Sequence, residues 1–103
     1  MESEKVGFSI TDGKGFKIKF ANGFTVSVQF GPRNYCANYP KNTMEEPRIA
    51  GENGSPNAEV AWWGPDGNFI PFENNDDVKG YQSPEEVLQL LSKAAKAKAE
   101  GGQ

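Results

Sequence analysis

Four groups of residues in this 103-residue chain are of types that could do chemistry. They are the thiol of Cys36 close to Arg33, the carboxylates Glu73, Asp76 and Asp77, the adjacent indoles Trp62 and Trp63, and the lysines Lys17 and Lys19. A thiol near a guanidinium could ionise at neutral pH and act as a nucleophile. Cys36 has no histidine to serve as its base, because the chain contains none. The same absence removes Ser-His-Asp and Cys-His catalysis, histidine metal sites and imidazole pH switching. With one cysteine besides, a structural zinc site within the chain is excluded. Cys36 therefore reads as a buried or half-buried small hydrophobe. The 73–77 carboxylates could hold a hard cation or share acid–base work, but their spacing is not that of a calcium-binding loop. Nothing in the sequence implies the cleft that general acid–base catalysis needs. The expectation is a non-enzymatic protein with no catalytic residue, no metal and no cofactor.

Binding is the remaining class. Adjacent residues of a strand point to opposite faces, so only one of Trp62 and Trp63 can enter a given core. A bulged turn at 64–67 would set Trp62 over Ile70, Val60 over Phe72 and Trp63 over Phe69. The Trp63–Phe69 set has fewer aliphatic companions and is the one expected to serve as an aromatic anchor, a role in which Trp is enriched. Tyr35 and Tyr39, in the polar aromatic run Arg33–Tyr39, are further contact candidates. Charge is unevenly spread. Residues 1–44 carry six bases against three acids, whereas 45–86 carry two bases against ten acids. Glu73, Asp76 and Asp77 lie in that acidic stretch, which suits a partner with a basic surface. Lys17 and Lys19 could contact phosphate, but two lysines in a chain of net charge −3 make direct nucleic-acid binding the lesser reading.

Sheet and helix must position these groups. Val6, Phe8 and Ile10 alternate with small polar residues and read as a first strand. Phe16–Phe20 and Phe24–Phe30 alternate around Asn22-Gly23. Directly opposed residues share a face, so a three-residue loop 21–23 pairs Phe20 with Phe24, Ile18 with Val26 and Phe16 with Val28. A tighter loop would set apolar against polar. The spacing predicts a type I turn followed by Gly23 in the left-handed region. Residues 31–57 form a long loop rich in Pro and Asn. Alternation returns at 58–63. Gly64-Pro65-Asp66-Gly67 is a turn, 68–72 is the expected return strand, with Pro71 confining it to an edge, and 74–77 is a connector. Ser83-Pro84-Glu85-Glu86 starts a helix that runs to about residue 98, where Gly101-Gly102 stops it. Its apolar stripe is Val87, Leu88, Leu90, Leu91, Ala94 and Ala95. The expected fold is α+β: an antiparallel sheet of about five strands with one C-terminal helix packed on one face.

Length predicts a single domain over 1–103, with 99–103 a frayed tail. The polar start and the lone cysteine point to the cytoplasm, and no apolar run suggests a membrane. The run Phe20–Gly31 with Asn34-Tyr35-Cys36, then Glu59–Trp63 and Val78–Val87, resembles small uncharacterised proteins carried by bacteriophages and prophages. Over most of the chain, that resemblance implies a context rather than residue roles. Small acidic phage proteins are often inhibitors of host machinery, anti-CRISPR proteins among them, acting in the host-cell cytoplasm. The partner expected on this basis is a host protein or nucleoprotein complex with a basic surface.

Overall fold

The computed structural model describes residues 5–11, 14–31, 33–37 and 54–98. Tyr39, most of the loop 31–57 and the tail 99–103 lie outside the described residues. Five strands, β1 (Gly7–Ile10), β2 (Gly15–Lys19), β3 (Thr25–Gln29), β4 (Ala58–Trp63) and β5 (Lys79–Gln82), form one antiparallel sheet in chain order, followed by the helix α1 (Pro84–Lys96).

The β2–β3 hairpin has the expected register, with Ile18 opposite Val26 and Phe16 opposite Val28. Phe20 donates its N–H to Phe24 O at 2.9 Å, and Gly23 closes the turn by donating to Phe20 O at 2.9 Å. Gly23 has φ +94°, and a Cβ there would lie 2.9 Å from Pro65 Cγ. Gly23→Val therefore meets both a backbone penalty and a clash. The expected loss is about 1–3 kcal/mol, read from urea unfolding, with the slope unchanged.

Register across the sheet produces two apolar rows. One runs Ile10, Phe16, Val28, Val60; the other runs Phe8, Ile18, Val26, Trp62. The amphipathic helix lays Leu90 and Ala94 on this face, with Val87 and Leu91 beside them. It lies over β3, β4 and β5 and not over β1 or β2. Burial falls off accordingly along the second row, from Val26 at 0 % and Trp62 at 6 % exposed to Phe8 at 81 %.

The helix is capped at both ends. Ser83 accepts from Glu86 N at 3.1 Å while Glu86 Oε1 accepts from Ser83 N at 2.8 Å, which completes a capping box. At the other end the helix stops at Lys96, with Ala97 extended, ahead of Gly101. Asn22 of the β2–β3 turn supplies the cap: its Nδ2 donates to Ala94 O at 2.9 Å and to Ala97 O at 2.8 Å, and its Oδ1 accepts from Phe24 N at 3.0 Å.

The fifth strand is not the one the alternation suggests. The turn at 64–67 forms, with Gly67 donating to Gly64 O at 2.9 Å and adopting φ +85°. The return segment then makes one bridge, Trp63 to Phe69, and two bonds, Gly64 N to Asn68 O at 3.4 Å and Ile70 N to Trp62 O at 2.9 Å. Pro71 has no N–H to continue the ladder, and Phe72 donates to Asp76 O at 2.9 Å in a turn of its own. Val60 consequently faces Lys79 of β5 rather than Phe72. Between β3 and β4, Ala37 donates its N–H to Asn57 Oδ1 at 2.7 Å.

Candidate partner-binding surface

The turn after β4 brings Trp63 and Phe69 together, with ring centroids 5.0 Å apart and planes tilted by 32°. Trp62 goes the other way, into the core beneath α1, where its ring lies 5.9 Å from that of Phe24. Trp63 is half-buried, whereas Phe69 is exposed. The turn itself is stiffened by Asp66, whose Oδ1 accepts from Asn68 N at 2.9 Å. Phe69 also borders a cleft of about 620 Å³ between the turn and the end of α1, walled by Phe24, Trp62, Ile70 and Pro71, with Asp66 and Lys98 among its polar lining.

The connector beyond Phe72 carries Glu73, Asp76 and Asp77, all exposed. Asn75 takes the left-handed conformation, φ 68°, and Asn74 Oδ1 accepts from Asp76 N at 3.0 Å, so the turn has a defined shape. Lys79 forms an ion pair with Glu73. That hydrogen bond, the backbone N–H of Glu73 and the lysine charge together hold the Glu73 carboxyl below the ordinary carboxylate range. Among the described residues no three His, Cys, Asp or Glu side chains are grouped as a metal site.

Tyr35 sits elsewhere. It is exposed, but its carbonyl accepts from Tyr81 N at 2.8 Å, and its backbone and Cβ press against Gly80 of β5. Cys36, next to it, is buried, and its thiol donates to Gly31 O at 3.5 Å. Asn34 Nδ2 donates to Glu59 Oε1 at 3.1 Å. Residues 33–37 are thereby tied to the sheet face opposite the helix, where Ala61 and Thr25 are buried.

Lys17 and Lys19 share that opposite face with Trp63, since Lys19, Thr25 and Trp63 lie in one row. With Gly23, Gly64 and Pro65 they line a cleft of about 290 Å³. Sequence periodicity assigns the lysines to the wet face but does not show that an indole stands beside them.

Two features escape a reading by alternation. The first is the exposure of Phe8 and Ile10, at 81 % and 82 %, on the helix-bearing face. A signal for it existed in the element count: five strands span about 20–24 Å, and one helix with its side chains covers about 10–12 Å. Leu88 is exposed as well, on the rim of an apolar furrow of about 370 Å³ that it shares with Phe16, Phe30 and Leu91. The second is Asn22, which reads as a turn residue and serves also as the helix cap.

No described helix is long and apolar enough to cross a membrane. Compared with known proteins, this chain matches no family model, no curated protein and no solved structure.

Proposed function

We propose that this chain is a non-enzymatic protein-binding domain that docks on a basic surface of its partner through the Trp63–Phe69 pair and the acidic turn at 73–77. The observation that carries this reading is the exposed Phe69, backed by the Trp63 ring 5.0 Å away and followed by three exposed carboxylates, of which Lys79 engages Glu73. A backed aromatic ring loses little side-chain freedom when it enters a partner's pocket. The exposed carboxylates that follow it in the chain would steer the approach and reject acidic surfaces. In the phage context that the sequence resembles, such a domain acts as an inhibitor of anti-CRISPR or other anti-defence type, covering the basic surface of a host complex. The site of action is then the host cytoplasm.

The test is binding to purified CRISPR effector complexes and other nucleic-acid-processing host complexes across a salt series. The expected result is affinity that falls as salt rises. Phe69→Ala combined with Asp76→Lys and Asp77→Lys should weaken it about tenfold or more. Binding indifferent to all three substitutions would remove this surface from consideration.

A second reading, an accessory nucleic-acid-binding domain, is favoured by the placement of Lys17 and Lys19 beside Trp63. Lysines tracking phosphate next to a ring on which a base can stack is the usual arrangement for single strands. A fluorescence titration with single-stranded oligonucleotide at low salt separates the two. Micromolar binding lost in Lys19→Glu and kept in Phe69→Ala selects this reading.

A further inference from the structure

The two edges of the sheet are unlike. At β5 the edge is interrupted by a register shift against β4, by Tyr81 at φ 54°, and by the hydrogen bond that Tyr81 N gives to Tyr35 O. Such irregularities are how sheets block further pairing. At β1 the edge is four residues, Gly7-Phe8-Ser9-Ile10, with no charge, no proline and no bulge against β2.

The hydrogen-bond phase of β1 follows from its turn. Thr11 donates to Gly15 O at 3.0 Å, so this is a bonded pair. Bonded and non-bonded pairs alternate in an antiparallel ladder. Ser9 and Gly7 are then bonded to Lys17 and Lys19, and Phe8 and Ile10 turn their N–H and C=O groups away from β2 to the open side. Phe8 and Ile10 also carry the two most exposed large apolar side chains among the described residues.

This edge is complementary to itself. We propose that two copies of the chain pair antiparallel along β1, across a two-fold axis at Ser9. Phe8 of each copy then faces Ile10 of the other. Both residues offer outward backbone groups, so each of the two pairs exchanges both of its bonds. The side chains of Phe8 and Ile10 fall on the same face of a continuous ten-stranded sheet and pack across the seam. A shift by one residue would set outward groups against groups already bonded to β2, and a shift by two would carry one outward residue of each copy past the end of β1, so phase and strand length together select the register.

The area sets the strength. At about four-fifths exposure, Phe8 and Ile10 offer roughly 300 Å² per copy, or about 600 Å² for the pair. Stable interfaces bury about 1,200 Å² or more, so this dimer is weak and reversible. The contact is isologous, the commonest kind in homodimers.

Sedimentation velocity from about 5 μM to 1 mM tests the association, a range in which weak dimers populate. The expected result is a shift from monomer to dimer. Ile10→Pro removes an N–H that β2 does not use, and should hold the protein monomeric with its circular dichroism unchanged. Ile10→Lys does the same without altering the backbone and serves should the proline disturb folding. Ser9→Cys tests the register. Opposed residues of a non-bonded pair stand about 4.5 Å apart at Cα, within disulfide range. Under mild oxidation it should give a covalent dimer, while the buried Cys36 does not compete. A protein that stays monomeric throughout the range overturns the proposal. So does a dimer that survives Ile10→Lys, or one in which Ser9→Cys fails to cross-link.

Discussion

Trp62→Ala should lower stability by about 3–5 kcal/mol, a large fraction of what a domain of this size possesses. Trp62 is the largest side chain of the buried cluster, set between Phe24 and α1, and Lys93 places its ammonium 5.4 Å from the ring centroid on the solvent side. Removing it opens a cavity that Val26, Val60 and Leu90 cannot close, because each is fixed by its own strand or helix. Thermal unfolding followed by far-ultraviolet circular dichroism should show a fall of about 15–30 °C. Trp63→Ala is the control. It removes an equal volume one residue away, but from a half-buried position on the other face, where Phe69 is its ring partner. Its expected loss is about 1–2 kcal/mol. Equal effects of the two substitutions would contradict the assignment of Trp62 to the helix-bearing face.

Asn22→Asp should be nearly as damaging, although it changes one amide to one carboxylate. The Asn22 amide nitrogen donates to carbonyls at the C-terminal end of α1, those of Ala94 and Ala95 in its last turn and that of the capping residue Ala97. A carboxylate offers acceptors where donors are needed, and it brings negative charge to the negative end of the helix. Lost bonds and repulsion together should cost about 3–4 kcal/mol at neutral pH. The pH dependence gives a second check. Facing carbonyls, this aspartate would have its folded-state pKa raised above the unfolded value, so protonation favours the folded state. The defect should therefore shrink as pH falls through the carboxylate range, opposite in sign to an ion-paired acid. Asn22→Ala loses those bonds and the one accepted from Phe24 N as well, but brings no charge, so its defect should not depend on pH. Urea titrations of both variants at pH 4 and pH 7 separate the two contributions.

Legibility in the sequence followed how local each cause is. The β2–β3 register could be read because parity leaves one loop length that sets Ile18 against Val26, and the structure has that pairing. The start of α1 could be read because Ser83, Pro84 and Glu86 act on their own neighbours. The fold class followed from these together. The identity of the fifth strand could not be read. Asn68–Phe72 alternates better than Lys79–Gln82, yet Pro71 and the turn at Phe72 end its pairing after a single bridge. Which residues lose solvent on the helix side was also hidden, because it depends on where a helix about 20 Å long lies across five strands. Of the candidate contact residues, Trp63 and Phe69 meet as their parity implied, and Glu73, Asp76 and Asp77 share one turn. Tyr35 stands apart from them, because its backbone closes the β5 edge.

The bond from Ala37 N to Asn57 Oδ1 has a consequence for the stretch of chain it spans. Ala37, beyond the end of β3, and Asn57, directly before β4, are fastened within one hydrogen-bond length, so the spacing of these two points does not depend on the length of chain that joins them. Doubling such a loop costs only about 0.6 kcal/mol of closure entropy. Lengthening the chain between these two points should therefore cost the sheet little stability.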